Sequence, residues 1–488
     1  MTRNRKIIAI AAISSLLLFS AIPDTGLALD KESNIDSLIS AYHKYGQFNG
    51  SVLVADGGEV IFKKGYGLAN MEWNIPNQPD TKFRIGSITK QFTSMLIMQL
   101  VEAGKIKLEG KITDYLPDYR KDTGEKVTIH HLLTHTSGIP SYTEQPGFLE
   151  NVSRDPYSVD EFVEQYCSGD LEFEPGSKFV YNNSGYFLLG AVIEKVTGKP
   201  YETVLKEKIL DPLDMKNTGY DLHSPLIPNR ASGYSKTFDG YFNAAYLDMS
   251  LPYAAGSMYS TVEDLHLWDQ ALYTDKLLSK KYKKSMFQPF LQNYAYGWGV
   301  RKVAVGEAGD SVLVNAHSGG INGFNTRIVR LVQDKHLIVL FNNTPAANLS
   351  EMGQQIINIL YDQPFYLPKK PITGLLYETI TEEGIESAIE KYKDLKKNQA
   401  DTYDFREQAL NNLGYQLLRT KKIDGAIEIF KLNVEAFPKT FNTYDSLAEA
   451  YMEKGEKELA IKNYAKSLEL NPNNTNAIRM LNRIVGKE

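Results

Sequence analysis

The sequence contains almost no cysteine. Cys167 is the only one among 488 residues, which excludes an internal disulfide framework, a cysteine-based zinc site and a cysteine-ligated cluster. There is no excess of basic residues either, because 54 Lys and Arg against 59 Asp and Glu give a formal net charge of −5. A protein that binds nucleic acid by neutralising phosphates is therefore not expected. We expect no metal ion and no organic cofactor.

Several catalytic signatures are missing as well. No G-x-S-x-G occurs, so the nucleophile elbow of an α/β-hydrolase is absent. His131 and His135 have the spacing of two zinc ligands on one helix face, but Leu132 stands where H-E-x-x-H requires glutamate. Neither G-x-x-x-x-G-K-[ST] nor G-x-G-x-x-G opens a helix after a strand, which excludes the common nucleotide-binding loops.

A short apolar run opens the chain. Residues 1–6 are basic, residues 7–22 are apolar, and Gly26-Leu27-Ala28 supplies small residues for a signal peptidase. The run is shorter than the roughly twenty residues that a membrane-spanning helix needs. We predict a signal peptide over residues 1–28 and export to a bacterial cell envelope or medium, and an uncleaved signal would act as a membrane anchor instead.

Strand patterns flank a long helical region. Residues 51–66 predict two strands joined at Asp56-Gly57-Gly58, and a second antiparallel set is predicted at 312–316, 325–332 and 336–342. Helical periodicity between them predicts, among others, helices over 88–103 and 184–196. The pattern predicts an α+β domain whose sheet is closed by distant segments.

The last part of the chain repeats itself. Three prolines in DQPFYLPKKP indicate a linker, placed at residues 363–376, before a helical region at 377–488. A shift of 34 residues aligns Gly414 with Ala448, Phe430 with Tyr464, and Pro438 with Pro472. This period resembles the tetratricopeptide repeat, with two full units between helices predicted at 380–397 and 475–485. Such repeats bind a protein or peptide partner, or they serve only as a docked stabilising appendage.

Ser87 and Lys90 form an S-x-x-K motif where a helical pattern begins. Three residues apart on a helix, the two side chains lie on one face and can meet. A serine hydroxyl is a weak nucleophile alone, and a neighbouring amine in its neutral form can remove its proton. Lysine suits this task because burial readily lowers its pKa.

Two further short motifs carry polar groups. Tyr181 and Asn183 precede another helix, where they could shuttle a proton and bind a substrate backbone; the plain alternative is a buried tyrosine with an asparagine N-cap. His317, Ser318 and Gly319 follow the strand predicted at 312–316, where glycine lets a ligand approach the backbone. The alternative there is an ordinary histidine at a strand end.

The order S-x-x-K, then Y-x-N, then H-x-G near the end of the domain resembles the penicillin-recognising serine hydrolases. This superfamily includes class C β-lactamases, low-molecular-mass penicillin-binding proteins, D-amino-acid peptidases and related esterases. Four longer segments resemble the family too, at residues 129–140, 173–194, 254–265 and 296–299. The resemblance covers residues 33–362 and implies a β-lactamase/transpeptidase-like fold for them, in which a helical subdomain lies beside an antiparallel sheet.

The resemblance also implies a role for each motif. The implied catalytic residues are Ser87, Lys90 and Tyr181; the implied substrate-binding residues are Asn183, His317, Ser318 and Gly319; and the backbone N–H groups of Ser87 and Gly320 would form the oxyanion hole.

One departure affects the expected activity. Many relatives carry K-T-G where this chain has His317-Ser318-Gly319, and histidine is mostly neutral at pH 7. The favoured function is therefore a serine hydrolase resembling D,D-carboxypeptidases or esterases that acts on cell-envelope material. A class C β-lactamase is one alternative, and a catalytically weak binding module that works through the repeats is another. The expected ligands are a D-amino-acid peptide, a β-lactam or an ester.

Overall fold

The computed structural model describes residues 30–306, 309–345, 347–484 and 486. The predicted signal peptide, residues 1–28, lies outside the described residues. Within the described ranges, no helix is both long enough and apolar enough to cross a membrane.

The strands of the protein are short except in one sheet. They are β1 (Gly50–Asp56), β2 (Glu59–Tyr66), β3 (Leu68–Asn70), β4 (Ile75–Pro76), β5 (Phe83–Arg84), β6 (Gly219–Tyr220), β7 (Tyr234–Thr237), β8 (Gly240–Asn243), β9 (Met258–Ser260), β10 (Gly299–Val305), β11 (Asp310–Ile321), β12 (Phe324–Leu331), β13 (His336–Asn342), β14 (Lys370–Pro371) and β15 (Tyr403–Asp404).

Helices fill the middle and the end of the chain. They are α1 (Lys31–Lys44), α2 (Thr89–Glu102), α3 (Ile112–Tyr115), α4 (Lys121–Gly124), α5 (Ile129–Leu133), α6 (Val159–Tyr166), α7 (Asn183–Thr197), α8 (Tyr201–Leu205), α9 (Asp211–Leu213), α10 (Tyr253–Gly256), α11 (Val262–Leu272), α12 (Lys280–Met286), α13 (Leu349–Leu360), α14 (Ile372–Glu382), α15 (Ile385–Asn398), α16 (Glu407–Arg419), α17 (Ile423–Ala436), α18 (Phe441–Lys454), α19 (Lys457–Leu470) and α20 (Thr475–Ile484). Short 3₁₀ or π turns occur at Gly86–Ile88, Tyr142–Glu144, Phe148–Val152, Lys206–Leu210 and Leu291–Asn293.

The main sheet has the strand order β10-β11-β12-β13-β1-β2, and every neighbouring pair is antiparallel. β1 pairs with β13, so that Gly50 lies opposite Asn342. The prediction that distant segments close the sheet is therefore confirmed. Side chains alternate between the faces of a strand, and one face packs on α1 and α13 while the other packs on the helical region around α2 and α7.

The structure extends β11 beyond its predicted end at residue 316. β11 continues to Ile321 because β12 pairs with it as far as Phe324, so that His317, Ser318 and Gly319 lie inside the strand rather than after it. Its pairing with β10 ends at Ala316. The last part of β11 therefore has one edge that β10 does not cover, next to the start of α2.

The repeat region contains one more helix than the sequence predicts. The single helix predicted at 380–397 is a hairpin of α14 and α15, broken at Gly384, which has a φ of +98°. α14 also begins inside the predicted linker. A proline is tolerated where Pro371 lies, directly before the helix, and burial of Ile372 and Leu376 in the repeat core stabilises this first part of it. The pairs α16–α17 and α18–α19 form the two repeats, and α20 packs on the last.

The repeats contact the first domain through the turn between β7 and β8. Phe238 packs into the repeat core and stacks on Tyr377, with 4.9 Å between the ring centroids. The Tyr377 hydroxyl donates to Asp239 at 3.0 Å. Arg406 also pairs with Glu351 of α13 at 3.0 Å. The two domains therefore share a small apolar contact with polar bonds around it.

Candidate active site

Ser87 and Lys90 meet at the start of α2. Ser87 lies in the 3₁₀ turn that precedes the helix, and Lys90 Nζ lies 3.0 Å from its Oγ. Lys90 also donates to Asn183 Oδ1 at 2.8 Å and to the carbonyl oxygen of Ala255 at 2.8 Å. Two of the predicted motifs are thus joined at one amine, although more than ninety residues separate them.

The surroundings of Lys90 favour its neutral form. The side chain is 0% exposed, and all three of its hydrogen-bond partners are uncharged oxygens. Burial lowers the pKa of Lys90 well below the usual value of 10.5, because a charge is costly in a medium of low dielectric constant. A neutral amine has two N–H groups and one lone pair. The oxygens of Asn183 and Ala255 can only accept, so the lone pair is left for the Ser87 hydroxyl.

Tyr181 lies over this group. The Lys90 Nζ is 5.0 Å from the centre of the Tyr181 ring. Although 37% of Tyr181 is exposed, burial of its hydroxyl raises the pKa above the usual value of 10, and the interaction with the Ser87 hydroxyl acts in the opposite direction. Tyr181 is therefore a neutral phenol near pH 7, able to donate a proton.

Asn183 faces the site because its neighbour caps the helix. The side chain of Asn182 accepts from the Gly185 N–H at 2.6 Å, as an N-cap does. Asn183 is thereby free to accept from Lys90 and to donate through Nδ2 to Thr143 Oγ1 at 3.0 Å. The asparagine N-cap of the plain interpretation is therefore Asn182, whereas Asn183 contacts Lys90 and Thr143.

His317 lies on the face of β11 that looks toward the helical region. Its Nδ1 is 2.6 Å from the carbonyl oxygen of Ser318, and its Nε2 is 3.0 Å from the Tyr294 hydroxyl. The residue is buried. Burial lowers the pKa of His317 to about 3, while the bond to Ser318 acts in the opposite direction. The imidazole is therefore neutral at pH 7.

The rest of the third motif divides between the two faces of β11. Ser318 points to the opposite face, where its Oγ accepts from Arg327 at 2.8 Å, so that any contact of Ser318 with a substrate would have to come from its backbone. A Cβ at Gly319 would lie 1.9 Å from the Ile85 carbonyl oxygen, so only glycine fits there. Gly86, with a φ of +50°, packs on Gly320, because a Cβ on Gly86 would lie 2.9 Å from the Gly320 carbonyl oxygen. The backbones of Ser87 and Gly320 are thus brought together at the cleft.

His135 holds the backbone on both sides of Tyr181. Its carbonyl oxygen accepts from the Val180 N–H at 2.9 Å, and its Nδ1 accepts from the Asn182 N–H at 3.0 Å. The ring centroids of His135 and Tyr181 are 4.3 Å apart. His131, by contrast, bonds to its own helix start through the Thr128 N–H at 3.3 Å, so the two histidines do not share a site.

A small cavity of about 150 Å³ opens beside Ser87. Its walls come from the 3₁₀ turn at Tyr142–Glu144, from residues 247–256 and from the end of β11. The side chains that line it are apolar, hydroxyl or amide groups, among them Leu247, Leu251, Ile321 and Asn322.

The family model for beta-lactamases matches residues 35–359, which is most of the chain. The chain belongs to the beta-lactamase family. A tetratricopeptide repeat model matches residues 441–474 of this beta-lactamase family member. The predictions of family and fold class are thus confirmed, with mixed α and β structure followed by helical repeats.

Similar proteins include penicillin-binding proteins and hydrolases. Penicillin-binding protein 4* of Bacillus subtilis is 30% identical over 70% of this chain and 79% of its own length. The teichoic acid D-alanine hydrolase of Staphylococcus aureus is 29% identical over 64% of this chain and 74% of its own. Among solved structures, the D-amino acid amidase from Ochrobactrum anthropi in complex with L-phenylalanine amide superposes with a TM-score of 0.59 and 25% sequence identity. The match covers 68% of this chain and 99% of the amidase chain. The beta-lactamase family member described here is a serine hydrolase, as predicted.

Sequence reasoning missed several residues that complete the site. Tyr294, Thr143, Ala255 and His135 orient or bind the predicted groups. His135 and Ala255 lie within segments 129–140 and 254–265, which the sequence marks as family-like, and Tyr294 lies two residues before the segment 296–299. Thr143 has no such signal, since a threonine in an irregular loop is common.

Proposed function

We propose that this chain hydrolyses an amide or ester bond of a small substrate through an acyl-enzyme on Ser87. The observation that carries the proposal is the buried amine of Lys90, 3.0 Å from Ser87 Oγ, with two carbonyl-type oxygens to take its N–H groups. An amine held neutral in this way is a base suited to activating a serine. A module that only binds ligands would not need a nucleophile beside such a base.

In acylation, Ser87 Oγ attacks the substrate carbonyl carbon while its proton passes to Lys90 Nζ. The negative charge on the carbonyl oxygen is stabilised by the backbone N–H groups of Ser87 and Gly320, and preorganised donors of this kind are worth about 10²–10³ each in rate. The bond to the leaving group then breaks. Tyr181 donates its proton to the leaving atom and is resupplied by the protonated Lys90.

In deacylation, a water molecule attacks the ester carbon and the same groups act in reverse. The water proton passes through Tyr181 and Lys90, the bond to Ser87 Oγ breaks, and Ser87 regains its proton. Asn183 orients the substrate backbone while it holds Lys90 in place. His317 and the backbone of Ser318 and Gly319 form the opposite wall, along the edge of β11 that β10 leaves uncovered.

The names of the relatives support a cell-envelope substrate. We place this chain outside the cytoplasm, exported by the signal predicted at residues 1–28. The two favoured activities, D,D-carboxypeptidase-like and esterase-like, both fit an acyl-enzyme mechanism. A neutral His317 argues against an efficient class C β-lactamase. The repeats are proposed to bind a protein or peptide partner, which the repeat match at 441–474 supports.

The test compares the wild-type protein with Ser87→Ala on an N-acetyl-D-alanine aryl ester and on a chromogenic cephalosporin. We expect ester hydrolysis that falls to the background rate in Ser87→Ala, with slow or no cephalosporin hydrolysis. Equal ester hydrolysis by the two proteins would contradict the proposal. Fast cephalosporin hydrolysis would favour the β-lactamase instead.

A further inference from the structure

Among the residues that the structure describes, no charged side chain lines the cavity beside Ser87. The cavity beside Ser87 is lined by apolar, hydroxyl and amide groups such as Leu251, Ile321 and Asn322. Lys90 is the nearest amine to this cavity, but its burial favours the neutral form, and its three contacts are already made with Ser87, Asn183 and Ala255.

The hydrogen bonds of His317 leave no N–H for a substrate anion. The carbonyl oxygen of Ser318 can only accept, so Nδ1 carries a proton and donates it at 2.6 Å. In the neutral ring, Nε2 then accepts from the Tyr294 hydroxyl at 3.0 Å. Burial also lowers the pKa of His317, which keeps the ring in this neutral form.

Arg327 has the guanidinium nearest in sequence to the His317-Ser318-Gly319 motif, but it lies on the face of the sheet that is turned away from Ser87. Arg327 of β12 lies opposite Ser318 and donates to its Oγ at 2.8 Å. Ser318 points away from His317 and Gly319, since adjacent residues of a strand face opposite sides. Arg327 also lies 3.7 Å from where a Cβ on Gly353 of α13 would be, which places it behind the sheet.

From this charge distribution we infer that the site takes substrates whose leaving group bears no carboxylate, namely neutral esters or amides. A carboxylate that enters this cleft loses hydration and gains no cation in return. The inference rests on the proposed acyl-enzyme function, and it separates the two favoured activities. It favours ester and amide hydrolysis over removal of a terminal D-alanine that carries a free carboxylate.

The experiment uses two aryl esters of N-acetyl-D-alanine that differ in one group. The leaving group is 4-hydroxybenzamide in the first ester and 4-hydroxybenzoate in the second, and each kcat/KM is divided by the spontaneous hydrolysis rate of that ester. We expect the wild-type protein to prefer the neutral leaving group by at least about tenfold. Equal values, or a preference for the carboxylate, would overturn the inference.

Variants test whether the lack of a cation at the site causes the preference for the neutral leaving group. His317→Lys, which restores the lysine of the K-T-G motif, should move the preference toward the carboxylate by about tenfold, whereas the neutral His317→Gln should not. Asn322→Lys places a cation at the cavity wall without touching His317, in case His317→Lys does not fold. If neither folded lysine variant changes the preference, charge is not what sets it.

The Ser87→Ala protein distinguishes failure of this inference from failure of the proposed acyl-enzyme function. If both esters are hydrolysed through Ser87 but without the expected preference, the inference fails and the acyl-enzyme function stands. If neither ester is hydrolysed faster than by Ser87→Ala, the proposed function fails and the inference fails with it.

Discussion

Lys90 is the residue on which the proposed chemistry depends, and its burial has a consequence for stability. Unfolding exposes the amine, which then binds a proton at any pH below about 10.4. Because its pKa is lowered in the folded protein, the unfolded state binds more protons over the pH range between the two values. Stability contributed by this group therefore rises with pH in that range.

We predict that Lys90→Met abolishes ester hydrolysis but raises the melting temperature near pH 7. Methionine fills the space without the cost of burying an ionisable amine, and the gain shrinks as the pH rises toward 10. The measurement is the melting temperature of both proteins from pH 6 to 9, with the exposed Lys302→Met as the control. A melting temperature that falls at every pH would show that the amine stabilises the fold.

The same lowered pKa predicts the pH dependence of the wild-type enzyme. Activity needs a neutral Lys90, so kcat/KM rises as the pH rises through the lowered pKa and is level well before pH 10.5. A pH profile of kcat/KM for a neutral ester tests this. An ascending limb centred near 10.5 would mean that burial does not act on Lys90 as described.

His135 is predicted to position Tyr181. Its Nδ1 accepts from the Asn182 N–H, and His135→Ala removes this bond while the backbone bond to Val180 remains. A displacement of about 1 Å at the tyrosine can cost about 10²-fold in rate. We expect His135→Ala to lower kcat by up to about 10²-fold with little change in KM. His135→Asn should recover part of the loss, since asparagine tolerates the left-handed φ of +58° and offers an acceptor. A rise in KM with kcat unchanged, or no recovery of kcat in His135→Asn, would contradict this role.

At the scale of elements, the contact between β11 and the turn before α2 builds the site. A Cβ at Gly319 would overlap the Ile85 carbonyl, whereas a Cβ at Gly320 has no atom within 4 Å. Gly319→Ala is therefore expected to cost about 1–3 kcal/mol of stability and to abolish activity, while Gly320→Ala folds normally. Denaturant unfolding of the two variants measures the difference. Equal stability would mean that the strand and the turn are not in contact.

The elements also show how far the sequence predicts the structure. β1, β2, α2 and α7 were predictable because their local patterns agree with their burial. The extension of β11 was not predictable, because Gly319 and Gly320 are typical of a loop and only pairing with β12 keeps them extended. The contacts of His135 with Val180 and Asn182 depend in the same way on a segment distant in the chain. The S-x-x-K, Y-x-N and H-x-G motifs contain side chains that the structure brings close together, but they do not predict that Ser318 faces the opposite side of the sheet.

At the scale of the whole molecule, Phe238 links the two domains. It comes from the first domain but packs into the core of the repeats, against Tyr377. We predict that Phe238→Ala separates the thermal unfolding of the repeats from that of the hydrolase domain and lowers the transition of the repeats. Differential scanning calorimetry measures this, with the exposed Phe242→Ala of the same hairpin as the control. Unchanged transitions in Phe238→Ala would contradict a role for this contact in coupling the domains.

The central claim, an acyl-enzyme on Ser87, is tested most directly by intact mass spectrometry. The wild-type protein and Ser87→Ala are mixed with a neutral N-acetyl-D-alanine aryl ester and quenched in acid within the first turnovers. We predict that the wild-type protein alone gains the mass of the N-acetyl-D-alanyl group, and that peptide mapping places it on Ser87. An adduct on both proteins, or ester hydrolysis by the wild type with the group mapped to another residue, would contradict the account.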